Sequence, residues 1–143
     1  MNAKAEKFQA YLKNAKLQDF TPEEIVDDPL EAVVFRSHLA LEEARLPVLV
    51  IWDTSIYGII RILVMSEATA HTRATTLGKQ MNAYNQKYKA FKYYLDGEGN
   101  LVLDVSLLCR GDESDGDMVY AMFRTLDTHL QETYPVWKKL CKK

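Results

Sequence analysis

Three histidines and two cysteines are the side chains of this sequence best suited to metal or nucleophilic chemistry. His38, His71 and His129 lie far apart, and none has a carboxylate or cysteine at metal-ligand spacing. His129 stands beside an apolar helical stripe and reads as a packed, hydrogen-bonded ring. Cys109 ends an apolar, strand-like run and reads as a small core hydrophobe. Cys141 sits in a lysine-rich tail and reads as an exposed thiol. The loop Asp112-Glu113-Ser114-Asp115-Gly116-Asp117 suggests calcium, but Phe123 stands where such a loop needs its bidentate glutamate. Asp115 or Asp117 as the N-cap of a following helix is the simpler reading, and Arg110-Gly111-Asp112 is then a chance match to an adhesion triplet. There is no Ser/His/Asp set with local support, no glycine-rich phosphate loop and no carboxylate pair placed for acid–base work. The expectation is a non-catalytic protein with no cofactor and no metal.

Composition narrows the class further. The 143 residues are 48% apolar and 27% charged, with a net charge of −2. This fits one globular domain over residues 1–143 and excludes a disordered or collagen-like chain. No overall basic field marks a nucleic-acid binder. One stretch does depart from the average. From Arg73 to Tyr94 there is no acid, and Lys79, Lys87, Lys89 and Lys92 interleave with Tyr84, Tyr88, Phe91 and Tyr93. Cations among aromatics can bind single-stranded nucleic acid, so stretch 73–94 is an alternative site. The N-terminal residues are polar with no apolar run behind them, and the longest apolar run, Leu46–Trp52, is far too short to span a bilayer. With so few cysteines, a cytoplasmic location is expected and a membrane is not.

The elements that must position these groups follow from periodicity. Residues 2–17 have Phe8, Tyr11, Leu12 and Ala15 on one helical stripe, with Lys4, Lys7, Lys13 and Lys16 opposite. Thr21-Pro22-Glu23-Glu24 carries helix-start signals: Thr21 as N-cap, Pro22 at the first position and Glu24 at the third. Three strand-like runs follow, Ala32–Leu41, Leu46–Trp52 and Tyr57–Met65. Residues 68–87 return to helical spacing, with Ser66 as a candidate N-cap. Tyr88–Leu95 and Leu101–Leu108 flank Asp96-Gly97-Glu98-Gly99-Asn100, a hairpin loop in which Gly97 and Gly99 supply positive φ. A last helix runs from about Asp117 to Lys138, and Pro135 should bend or end it. The expected fold is α+β, a five-stranded antiparallel sheet with helices on one face and element order α-β-β-β-α-β-β-α.

Such a sheet has an outer face. Alternation places Val34, Arg36 and His38 on it, with Ile59, Arg61 and Leu63 from the third strand. The fourth strand adds Tyr88, Lys92 and Tyr94, and the last adds Val102, Asp104 and Leu108. Apolar groups mixed with arginine suit a protein interface. Val34, Arg36, Ile59, Arg61, Lys92 and Asp104 are therefore the candidate partner-binding residues, apolar ones for burial and charged ones for register. The partner is another protein or a second copy in a homodimer, bound on this face or along a free strand edge. A small-ligand domain with a pocket between sheet and first helix is a third alternative.

The segment Met81-Asn82-Ala83-Tyr84-Asn85, followed by Tyr88–Leu95 and the turn Asp96-Gly97-Glu98-Gly99-Asn100 leading into Leu101–Asp104, resembles the YbjN-like proteins. In element order the chain is similar to the wider fold class of type III secretion chaperones. The resemblance implies a small, dimeric, non-catalytic α+β protein of chaperone-like or regulatory-adaptor type, acting by binding other proteins. Asn82, Asn85, Asp96, Gly97 and Gly99 carry the motif, with Asn82 and Asn85 expected to close the helix C-terminus.

Overall fold

The computed structural model describes residues 1–142. The elements in chain order are α1 (Ala3–Asn14), β1 (Thr21–Glu24), β2 (Val33–Ala40), β3 (Arg45–Trp52), β4 (Tyr57–Met65), a 3-10 turn (Ala68–Ala70), α2 (Ala74–Lys87), β5 (Lys92–Leu95), β6 (Leu101–Leu108) and α3 (Gly116–Leu140). The strands form one antiparallel sheet in the order β1-β2-β3-β4-β6-β5. The α+β class with an antiparallel sheet is as expected. The sheet has six strands, however, and a strand stands between α1 and β2 in the element order.

The extra strand is Thr21–Glu24, the segment whose cap and proline signals favour a helix start. It pairs with β2, Thr21 opposite Arg36 and Glu23 opposite Val34. Tertiary pairing has overridden a local preference of a few tenths to about one kcal/mol per residue. Two other boundaries shift. The second helix begins at Ala74, after a 3-10 turn, and neither Ser66 nor Arg73 caps it through a side chain. The fourth expected strand begins at Lys92, and Tyr88 is instead the C-cap residue of α2. Pro135 does not end α3, which continues to Leu140. Pro135 and Gln131, the residue whose carbonyl the ring deprives of a donor, are both exposed, so the break in the hydrogen-bond ladder lies on the solvent side of the helix.

One contiguous core lies between the sheet and the helices. Val33, Phe35 and Leu39 of β2, Leu46, Val48, Val50 and Trp52 of β3, Ile60, Ile62 and Val64 of β4, and Leu101, Leu103, Val105 and Leu107 of β6 form its sheet side. Phe8 and Leu12 of α1, Leu77 of α2, and Val119, Leu126, Leu130 and Trp137 of α3 form the other. Phe8 meets Phe35 edge-on at 5.0 Å between ring centres and leans on Trp52 at 5.6 Å. Both cysteines are half-buried against this core, so Cys141 is more sheltered than its lysine-rich surroundings suggest.

The N-terminal helix is fixed by polar groups as well. Asn2 caps it, accepting from Ala5 N–H at 2.8 Å, while its amide donates to the carbonyls of Glu31 and Trp52 at 2.9 Å. Lys4, expected on the solvent side, is only 2% exposed. Its ammonium donates to Ser55 O at 2.6 Å and Tyr57 O at 2.9 Å, holding the β3–β4 turn.

Gly58 lies directly opposite Trp52 in the β3–β4 pair, and the indole ring occupies the space where a Cβ at 58 would stand. Gly58→Ala is therefore expected to destabilise the protein by about 1–3 kcal/mol, since the buried ring has nowhere to move without overpacking. A urea unfolding midpoint equal to that of the wild type would refute this interlock.

Candidate functional site

All three helices contribute to the core on one side of the sheet, and the other side has no helix over it. Strand pairing turns this outer face into rows of side chains. One row runs Glu23, Val34, Ile51, Ile59, Ser106 across β1, β2, β3, β4 and β6. The next runs Thr21, Arg36, Leu49, Arg61, Asp104, Lys92 and crosses every strand. A third includes Leu63, Val102 and Tyr94. All six expected binding residues thus lie on this face, in two adjacent rows. Tyr88, also expected there, is not; it packs against Tyr84, Phe91 and His129 on the helix side.

A polar cluster occupies the middle of this face. Arg61 donates to Asp104 through two parallel bonds, Nε to Oδ1 and Nη2 to Oδ2, both 2.9 Å. Tyr94 adds a third, its hydroxyl donating to Asp104 Oδ2 at 3.1 Å. Asp104 is 6% exposed while Arg61 is about one-third exposed. The hydrogen bond to Asp104 raises the Arg61 pKa against an opposing effect of burial. Burial, then the Asp104 charge, raises that of Tyr94. Lys92 lies 5.7 Å over the Tyr94 ring, and Arg36 Nε donates to Glu23 at 3.1 Å. Around these charges the face is apolar. Val34 and Val102 are 8% and 4% exposed yet stand outside the helix-covered core. Leu49, Ile51, Ile59 and Leu63 are half-buried, and Tyr57 and Leu108 project at one end.

The strand edges are closed to pairing. β1 presents Pro22, which has no N–H, between exposed threonine and glutamates. β5 is four residues long, and both main-chain groups of Tyr93 are taken by Asn85: Tyr93 N–H donates to Oδ1 at 2.8 Å and Nδ2 donates to Tyr93 O at 3.1 Å. Asn85 therefore fastens α2 to the edge strand rather than closing its own helix. Asn82 is exposed one turn earlier. In the hairpin loop the Asp96 carboxylate accepts from Glu98 N–H, Asn100 N–H and Asn100 Nδ2, bonds that lower its pKa, those from Asn100 most. Gly99 has φ +79° and abuts Thr69, but Gly97 does not adopt positive φ, so only one of the two glycines is needed for that reason.

The remaining chemical candidates are structural. Asp115 caps α3, accepting from Met118 N–H at 3.1 Å. Among the described residues no group of three or more His, Cys, Asp or Glu side chains converges on a metal-sized site. Among the described residues no helix is long and apolar enough to cross a membrane. The basic aromatic stretch divides: Lys79, Lys87, Lys89 and Lys92 are exposed, while Tyr84, Tyr88, Phe91 and Tyr93 turn inward around His129. A cleft of about 580 Å³ does lie between α1 and the β1–β2 end of the sheet, floored by Leu12, Leu17, Phe20 and Phe35. Its polar lining residues, Lys13 and Lys16 among them, all sit at the exposed rim. A typical ligand site has polar groups converging inside it.

His129 is buried, its Nε2 sharing a 2.6 Å hydrogen bond with the Tyr93 hydroxyl, and its Nδ1 has no partner. Burial, reinforced by the Lys87 charge, pushes its pKa down to about 4. The unfolded chain therefore binds the proton more readily. The stability this confers is complete above about pH 6.5 and is lost progressively as pH falls toward 4. Between pH 7 and 4.5 the wild type should lose about 2 kcal/mol more than His129→Gln, measured by urea unfolding at each pH. Parallel pH profiles for the two proteins would show that the ring is not buried neutral.

No family model matches the chain, and no curated protein matches it.

Proposed function

We propose that this protein is a non-catalytic protein-binding domain of chaperone-like or adaptor-like type, and that its uncovered sheet face is the binding surface. The observation that carries this reading is the apolar outer face, with Val34, Leu49, Ile51, Ile59, Leu63 and Val102 surrounding a neutralised Arg61–Asp104–Tyr94 cluster. Contiguous apolar surface rimmed by polar groups marks an interaction site. The closed edges favour the face over strand addition as the mode of binding. The inward-turned tyrosines remove most of the stacking platform that nucleic-acid binding through 73–94 would use. The same kind of activity is what a YbjN-like resemblance implies, and dimerisation in the cytoplasm belongs to that proposal.

Arg61 is a poor place to test it, because replacing it would strand the buried Asp104 carboxylate. Ile59 and Leu63 are better. Both are half-buried on the solvent side of β4, where a glutamate costs about 1 kcal/mol in strand preference and lost contact but strands no buried charge. Native mass spectrometry of the protein isolated from its own cells is expected to show it with a second polypeptide at fixed stoichiometry. Ile59→Glu/Leu63→Glu is expected to emerge bare, with unchanged helical circular dichroism. A wild type recovered only as a bare monomer, or a double variant that keeps its companion, would overturn the assignment.

A further inference from the structure

Resting on the reading of the outer face as a binding surface, we propose that the β3–β4 end of that face recognises a lysine or arginine of the partner, set among bulky apolar side chains. Three observations carry this. The first is where exposed apolar surface collects. The five most exposed large apolar side chains among the described residues are Val26, Leu108, Ile56, Tyr57 and Leu30. All lie at one end of the sheet, in the β1–β2 and β3–β4 connections and at the adjoining ends of β4 and β6. Main-chain bonds stitch these segments together. Ile25 N–H donates to Ala32 O at 3.0 Å, Thr54 N–H to Leu30 O at 2.9 Å and Cys109 N–H to Ile56 O at 2.7 Å. The apolar groups therefore stand on a preorganised platform that a partner need not order.

The second is a pocket. A depression of about 260 Å³ lies on the outer face at this end, lined by Ile51, Asp53, Ser55, Tyr57, Ile59 and Ser106. It continues the row of outer residues that runs from Val34 to Ser106. Small-molecule sites run from about 300 to 1,000 Å³, so this volume suits one inserted side chain better than a whole ligand. Two isoleucines and a tyrosine ring can cover the methylenes of a long side chain, and the Asp53 carboxylate can meet its charged tip.

The third is charge. On the same face Arg36 is paired with Glu23 and Arg61 with Asp104. Asp53 is in no ion pair among the described residues. Its Oδ1 accepts from the N–H and hydroxyl of Ser55, and its Oδ2 takes no bond from the chain. Asp27, Asp28 and Glu31 in the β1–β2 connection are likewise in no ion pair among the described residues. The positive groups at this end are the Met1 ammonium, held by Glu24, the enclosed Lys4, and Arg110 just beyond β6. Unpaired carboxylates around exposed apolar groups complement a partner that is both basic and apolar. They would repel the headgroups of an anionic lipid surface.

The test is selection of displayed random peptides of about 12 residues on the purified full chain, followed by fluorescence anisotropy of the best peptide. The selected peptides are expected to share a lysine or arginine flanked by leucine, isoleucine or aromatic residues. Asp53→Asn keeps an oxygen for Ser55 and is expected to weaken the best peptide about 10-fold. Glutamine in place of the peptide's cation should weaken it as much, and the two changes together should cost little more than either alone. Ile56→Ser/Leu108→Ser, at exposed positions that leave the core intact, should also weaken it about 10-fold. A shared sequence without a cation, unchanged affinity for Asp53→Asn, additive losses in the cycle, or no peptide tighter than about 100 µM would each overturn the assignment. So would tight binding to phosphatidylcholine vesicles containing about 30% phosphatidylserine. Peptides lost by Ile59→Glu/Leu63→Glu but kept by Asp53→Asn and by Ile56→Ser/Leu108→Ser would overturn this end as the site and leave the face standing. The binding reading itself is decided separately, by the companion recovered with the protein from cells.

Discussion

Side chains on a strand alternate between two faces, and this chain has helices for only one of them. Most other features follow from that imbalance. Apart from Ser37 and Gly58, the inner positions of β2, β3, β4 and β6 are apolar, because α1, α2 and α3 all deliver their buried residues to that side. The outer positions must tolerate water and yet remain apolar enough to hold strands together. The compromise is visible in the two outer rows. One is built from Val34, Ile51 and Ile59, and the other interrupts its apolar content with Arg61 and Asp104. The bidentate pair satisfies a carboxylate that its neighbours bury almost completely, and Tyr94 occupies one more of its lone pairs.

The same arithmetic explains what could be read from residues alone. Alternation was enough to place Val34, Arg36, Ile59, Arg61, Lys92 and Asp104 on one face, because strands with a clean period of two declare their sides. It could not pair Arg61 with Asp104. That needs β6, the second strand of the hairpin, to sit inside β5 and against β4, a matter of topology rather than periodicity. Strand β1 was invisible for a different reason. Its four exposed residues carry no hydrophobic alternation, and their Thr-Pro-Glu-Glu signals favour a helix start, so only β2 as a partner makes them a strand. Tyr88 is not separable from a strand by sequence, because the run before Lys92 is aromatic and aromatic content does not distinguish an edge strand from a cluster around a buried ring. Asn2 and Lys4 were illegible as anchors because their acceptors lie about fifty residues away.

Edges and face are treated in opposite ways. At β5 the free main-chain groups are occupied by Asn85, and at β1 a proline and glutamates keep another strand away. The sequence spends specific residues on closing the routes by which sheets add strands. It leaves the face open. A protein that avoided association altogether would leave fewer apolar side chains on this face than Leu49, Ile51, Ile59 and Leu63.

Lys4 has a consequence beyond its place in the β3–β4 turn. Every other lysine among the described residues is exposed, whereas this ammonium is enclosed and held by two carbonyls. In the folded chain an amine-directed reagent thus meets a surface of reactive lysines and a single shielded one. That nitrogen becomes accessible only when α1 lifts from the sheet. The amine of residue 4 is in effect a chemical latch indicator, reporting from the N-terminal end whether a turn fifty residues further along the chain is still closed.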